Sequence, residues 1–191
     1  MSQYCYSPLS PGANNIRLLR LMPHANERTE LLCELFEYSL HDLGKRTNLY
    51  EALSYAWGGG ETPCSITIVE RDLDGTTNLY TLDVTKNLYA ALLHLRDRSF
   101  ERIIWIDAIC INQKDLDEQG QQVQLMAIIY SKAHRVLVWL GETTNNVKGA
   151  LEGIQHAANE ESPERSNKNI NEEAIFYLLQ GQWFQRIWVS E

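Results

Sequence analysis

The stretch RIIWIDAICINQ, Arg102 to Gln113, limits the fold of this chain more than any other segment. Ile103 to Ile106 are four bulky residues in a row. A strand with one wet face would alternate apolar and polar side chains instead. The run therefore predicts a central strand buried on both faces, as in a parallel sheet. Asp107 follows at the strand's carboxyl end, outside which open α/β sheets bind ligands. A carboxylate there can accept hydrogen bonds from a ribose, orient a histidine or act as a base. It can equally accept backbone N–H groups of the next loop and hold that loop closed. The residues alone leave both roles open.

The flanking segments supply the fold class. In KNLYAALLHLRD, Leu88, Ala91, Leu92 and Leu95 share one helical face, with Asp83 or Thr85 as the candidate cap. In KDLDEQGQQVQLMAIIYSKA, Val123, Met126, Ala127 and Tyr130 recur at intervals of three and four. HRVLVWLG, His134 to Gly141, is a second apolar strand, so Val136–Trp139 is expected to be as central and buried as Ile103–Ile106. Helix, strand, helix, strand with short loops predicts an α/β fold of three layers with a mostly parallel central sheet.

Upstream, YEALSYAWGGG reads as a buried strand ended by glycines, and the Gly58–Gly60 loop is expected near the same sheet edge as Asp107. SITIVE and LYTLDV, joined through Asp74 and Gly75, predict an added hairpin. NIRLLRLMP is a strand ended by Pro23. In ERTELLCELFEYSL the spacing of Leu31, Leu32, Leu35 and Phe36 favours a short helix over a strand. Pro8, Pro11 and Gly12 mark residues 1–15 as a loose arm. Residues 143–173 form a polar insertion, and NEEAIFYLLQG suits a helix. The whole, residues 1–191, is read as one domain.

Composition narrows the function. Apolar residues make up 44% and charged residues 22%, enough for a core without staples. A net charge of -8 argues against nucleic acid as a partner. No stretch is long and apolar enough for a membrane span, and the N-terminus does not read as a secretory signal. Cys5, Cys33, Cys64 and Cys110 are scattered without a Cys-x-x-Cys pair, so no metal site is expected and the reading is a reduced, cytoplasmic protein. Phosphate-loop, Gly-x-Gly-x-x-Gly and Gly-x-Ser-x-Gly patterns are absent. Cys110 has no neighbouring base in sequence and reads as a buried, inert thiol. Asn112 and Gln113 each offer a donor and an acceptor, to read a polar ligand or to stitch loops. Asp115 and Glu118 fit a capping box at a helix start.

Five blocks, YEALSYAWGG, NLYAALLHLR, RIIWIDAICINQ, QQVQLMAIIYSKAHRVLVWLG and WFQRIWVSE, follow one another in order and hold all five tryptophans. Together they resemble the fungal heterokaryon incompatibility domain. Its Ser-Tyr-x-Trp-Gly pattern corresponds to Ser54, Tyr55, Trp57 and Gly58. Its Trp-x-Asp-x-x-Cys-Ile-Asn-Gln corresponds to Trp105, Asp107, Cys110, Ile111, Asn112 and Gln113. Its Glu-Arg-x-x-Gln corresponds to Glu118, Gln119 and Gln122, with glutamine where the family has arginine. In the last block Arg186, Ile187 and Trp188 lead to Glu191, one residue earlier than in the family, as a truncated or an altered end would give.

The resemblance implies a cell-death effector that becomes active on self-association, alone or under a receptor-type partner. The family in turn resembles the Toll/interleukin-1 receptor domain, some members of which cleave the nicotinamide–ribose bond of NAD with a helical glutamate. That comparison makes Asp107, Glu118 and Glu191 candidate catalytic residues. Trp57, Gly58, Asn112, Gln113 and Trp188 become the candidate nucleotide-binding set. NAD would be a substrate, and no cofactor or metal is required. Trp188 and Glu191 stand three apart where the Toll-type pattern has four. The competing implication is an assembly module without chemistry.

Overall fold

The computed structural model describes residues 1–12, 14–26, 30–41, 49–58, 63–72, 74–142, 148–149, 151–152, 154–155, 172–181 and 183–184. In chain order its elements are β1 (Ser2–Gln3), β2 (Asn15–Leu21), β3 (Leu32–Ser39), β4 (Glu51–Tyr55), β5 (Cys64–Arg71), β6 (Thr77–Val84), α1 (Lys86–Leu95), β7 (Arg102–Trp105), α2 (Asp107–Cys110), α3 (Leu116–Lys132) and β8 (Val136–Trp139). Beyond these lies a helix at Glu172–Leu179. The chain divides into two compact units, Met1–Trp139 and Leu140–Glu191. In the second, Leu178 is buried against Leu140, Ile175 and Phe184. Most of the expected polar insertion, 143–173, lies outside the described residues.

The first unit is built on one sheet of order β1-β6-β5-β3-β2-β7-β4-β8. β4 runs parallel to both β7 and β8. β2 is antiparallel to β3 and to β7, and β5 is antiparallel to β6. The fold is mixed α/β around a central sheet, in which β1–β6 and β3–β5 are parallel as well and antiparallel ladders lie between the parallel ones. β2 and β3 are consecutive strands joined by a short connection, which suits an antiparallel pair and not a crossover.

β7 lies between β2 and β4, and Ile104 and Trp105 are buried, as the uninterrupted apolar run requires. Ile106 leaves the strand and precedes α2. β8 departs from expectation. It is parallel, but it is the last strand in the order, and Val136 and Val138 are each 46% exposed. A strand with one neighbour lacks the packing that covers a central one.

ERTELLCELFEYSL also departs. Leu32–Ser39 is a strand, in register with β2 from Cys33↔Leu21 to Ser39↔Asn15. Leu31, Leu32, Leu35 and Phe36 fit a helical period and a two-sided strand alike, and long-range pairing decides between them. The hairpin of β5 and β6 forms as the sequence predicts. Gly75 there has φ +85°, its N–H donates to Asp72 O, and Asp74 accepts from Thr76 N.

The first residues are tied down where the sequence suggests a loose arm. β1 pairs with β6, Tyr4 N donates to Thr81 O, and the Ser10 N–H and hydroxyl both donate to the Glu37 carboxylate.

α1 buries Leu88, Ala91 and Leu92, and Thr85 rather than Asp83 caps it, accepting from Leu88 N at 3.2 Å. On α3 the buried face differs from the expected one. Gln122 and Ile129 are buried while Val123 is exposed. A glutamine holds a core position because its Nε2 donates to Asn15 O at 2.8 Å, which supplies part of the hydrogen bonding a buried amide needs.

Candidate functional site

Two of the motif blocks meet where parallel neighbours end. Trp57 lies two residues past β4, and Asp107 two past β7. The Trp57 indole Nε1 donates to Asp107 Oδ2 at 3.0 Å. The chain after Trp57 turns through Gly58 at φ +72°, a left-handed conformation that favours glycine. Asn87, in the first turn of α1, holds this corner from outside. Its Nδ2 donates to Ala56 O at 2.6 Å, and its Oδ1 accepts from Trp139 Nε1 at 2.8 Å. The expected approach of this loop to Asp107 is therefore observed through Trp57. Gly59 and Gly60 lie outside the described residues.

Asp107 opens the single turn of α2 and is 6% exposed. Its Oδ1 accepts from Ala108 N at 2.8 Å, so both carboxylate oxygens receive protein donors. The following loop is stitched by the two amides. Gln113 Nε2 donates to Asp107 O, and Gln113 Oε1 accepts from Gln119 Nε2, each at 2.9 Å. Gln119, at the family's arginine position, supports the loop here. Asn112 Oδ1 accepts from Lys114 N at 3.2 Å, while its Nδ2 makes no hydrogen bond to a described residue. Asn112 thus retains a donor, whereas Gln113 is used at both ends.

Glu118 occupies a different environment. Asp115 caps α3, accepting from Asp117 N and Glu118 N. Glu118 does not complete a capping box by reaching back to Asp115. It binds Arg17 through both oxygens, at 2.5 and 3.0 Å, and accepts from Asn112 N at 2.7 Å. A buried guanidinium is the stronger attraction, since it matches a carboxylate with two parallel charge-assisted bonds. Arg17 also donates to Ser7 O and Cys110 O, and its guanidinium lies 5.2 Å from the Tyr6 ring. Tyr6 in turn donates to Ile109 O at 2.8 Å. Glu118, proposed by sequence for chemistry, is placed as the anchor of the loop carrying Asn112.

Cys110 is buried, its Sγ accepting from Ile106 N at 3.3 Å, and burial pushes its thiol up to about 12. At neutral pH it is a protonated packing group and not a nucleophile. Trp188 and Glu191 lie outside the described residues.

Arg17, Asn87 and Tyr6 were not singled out by sequence reasoning. Arg17 alone left a signal, a charge in the apolar strand NIRLLRL that any burial obliges to find a partner. What remains open to a ligand is the Trp57 indole, 42% exposed with its N–H held by Asp107, and the Asn112 amide donor. A pinned indole offers its face to a flat ring with little loss of side-chain freedom.

Residues 50–191, including both halves of this corner, match the family described as heterokaryon incompatibility protein (HET). The chain belongs to the heterokaryon incompatibility family. Heterokaryon incompatibility protein 6, OR allele, of Neurospora crassa is 34% identical over 157 residues, covering 80% of this chain and 22% of that relative. The chain spans less than a quarter of that relative's length. No solved structure matches it. Within this heterokaryon incompatibility domain, the motif residues Tyr55, Trp105, Cys110 and Ile111 are buried core, while Trp57, Asp107, Asn112, Gln113 and Glu118 form the hydrogen-bonded corner.

Proposed function

We propose that this chain is the effector segment of a fungal heterokaryon incompatibility protein and that it triggers cell death when copies are brought together in the cytoplasm. Family membership supports the cell-death role. The observation that carries the reading is the Trp57–Asp107 bond, which joins two separate family blocks into one rigid corner. Among the described residues both acidic candidates already bind protein donors, which favours a presentation surface over a free acid or base. No helix among the described residues is long and apolar enough to cross a membrane. Clustering by a receptor-type partner raises local concentration and fills a weak interface without changing its affinity. Fusing the chain to an inducible dimeriser in fungal cells tests this. Viability falls on adding the dimeriser at constant protein level. Unchanged viability with folded protein overturns the proposal.

A second reading is cleavage of NAD at the nicotinamide–ribose bond, on a Toll/interleukin-1 receptor-like plan. The exposed Trp57 face beside Asp107, past the carboxyl ends of β4 and β7, favours it. When the bond breaks, its electron pair goes to the nicotinamide nitrogen. The ring leaves neutral and needs no general acid. The ribose develops oxocarbenium character, which a nearby carboxylate stabilises before water attacks. Trp57 would stack on a base or on nicotinamide, and Asn112 would donate to a ribose hydroxyl. Nicotinamide release by the dimerised wild type is the measurement. An assembled, death-competent protein that releases none removes this reading and leaves the first intact.

A further inference from the structure

The outer face of α3 carries apolar residues that the core of the single chain leaves uncovered. Leu116, Gly120, Val123 and Ala127 recur at intervals of four, three and four, and so share one stripe of the helix. All four are exposed, Leu116 by 77% and Val123 by 54%. The stripe is also uncharged. Between Glu118 and Lys132, α3 has no acidic or basic residue, in a chain of net charge -8. Gly120 has no reason within the single chain. It does not take the left-handed conformation, and a Cβ added there would meet nothing within 4 Å. Glycine disfavours a helix interior, so a gain outside the single chain is expected to hold it there.

These features fit a second copy of the same helix. Set antiparallel about a two-fold axis that passes between Gln121 and Gln122, the stripe is its own complement. Leu116 of one copy then faces Ala127 of the other, and Val123 faces Gly120, so each bulky residue meets a small one. Glycine at position 120 lets the two helices come close. The acidic start of each helix, Asp115 and Asp117, lies toward the Lys132 end of the other, and the two macrodipoles run opposed. No like charges meet along the stripe, whereas a copy approaching an acidic surface elsewhere is repelled. We propose that the Leu116–Ala127 face of α3 is the surface through which two copies of this chain associate, antiparallel and two-fold symmetric. One helix pair covers less area than a stable dimer needs, so the contact is weak and fills when copies are concentrated. Its part in cell death rests on the clustering reading above.

Sedimentation of the chain from micromolar to millimolar concentration is the test. The wild type is expected to pass from monomer to dimer. Val123→Glu sets an unpaired charge against Gly120 of the other copy and is expected to weaken the dimer at least about tenfold. Gly120→Leu fills the space that Val123 of the other copy needs and is expected to weaken it by a similar factor. Leucine favours a helix more than glycine does, so this variant unfolds no earlier than the wild type at micromolar concentration, which separates a lost contact from a lost fold. Phe100→Glu is the control. Phe100 is 73% exposed in the loop before β7, and the same change of charge there is expected to leave the dimer within about twofold of the wild type. A wild type that stays monomeric at millimolar concentration, folded Val123→Glu and Gly120→Leu chains that dimerise as the wild type does, or a Phe100→Glu chain weakened as much as Val123→Glu would each overturn the assignment. Sedimentation needs no cell death, so this surface and the clustering reading fail separately. Where the dimeriser-fused wild type kills, undiminished killing by fused Val123→Glu would remove α3 as the signalling contact and leave clustering intact.

Discussion

Asp107 is buried, the Glu118 side chain is 10% exposed, and the two brace the same loop by different physics. Glu118 faces a cation, Arg17, through two charge-assisted bonds. Asp107 accepts from an indole and from the amide of its own neighbour. The first arrangement joins β2 to α3 across a hundred residues of sequence. The second joins two adjacent strand ends and leaves an aromatic face exposed. The contrast separates a residue whose removal strands a charge from one whose removal costs a neutral donor its partner.

Of the changes at the two carboxylates, breaking the ion pair should give the largest effect. Arg17→Met leaves the largely covered Glu118 carboxylate without its cation and should cost about 3–5 kcal/mol. Urea unfolding measures it. Replacing both partners, Arg17→Met with Glu118→Leu, should recover most of that loss, because no charge is left stranded. A double variant no more stable than the single one would show that Arg17 acts through Ser7 and Tyr6 instead of Glu118.

Asp107→Asn should cost less, about 1–3 kcal/mol, since an amide keeps an acceptor for Trp57 Nε1 while losing one carboxylate oxygen. Signalling measured beside thermal unfolding sharpens the comparison. If death falls much further than stability does, Asp107 acts on a ligand as well as on the loop. If the two fall together, its role is that of a clamp.

Trp57→Phe keeps the ring and removes the N–H. It should cost about 1 kcal/mol, the net worth of one hydrogen bond at a half-exposed site. A loss above that of Asp107→Asn would reverse the order argued here.

The smallest effect belongs to the edge. Val138→Lys on β8 should change stability by less than about 0.5 kcal/mol, because that side chain is half exposed and edge strands accept lysine. Ile104→Lys, the same kind of change in β7, should prevent folding. Thiol labelling at pH 8 adds a check on burial. Exposed Cys5 reacts in the native chain, while Cys33 and Cys110, both pushed up to about 12 by burial, react only on unfolding.

RIIW and VLVW show how far sequence reading reaches. Both are short apolar runs, both form strands, and both lie parallel in the same sheet. Only the first is central. Apolarity states that a strand can be buried, while the number of its neighbours depends on segments far away. Leu35 and Phe36 make the same point, since their spacing suits a helix until β2 offers seven paired positions. Gln122 is the polar counterpart. No periodicity of apolar residues could place a glutamine on the buried face of α3, because the reason for it is the Asn15 carbonyl, 107 residues earlier.

The sequence by itself determined the strands and helices with strong periods, the β5–β6 turn at Gly75, the cap of α3 at Asp115 and the family. These follow from local chemistry, in which side-chain period, backbone freedom and short-range hydrogen bonds act within a few residues. Only the tertiary structure decided that Trp57 meets Asp107, that Arg17 claims Glu118 and that β8 lies at an edge. Each of those depends on which distant groups are left to share a hydrogen bond once water is excluded, and that is settled by packing rather than by spacing.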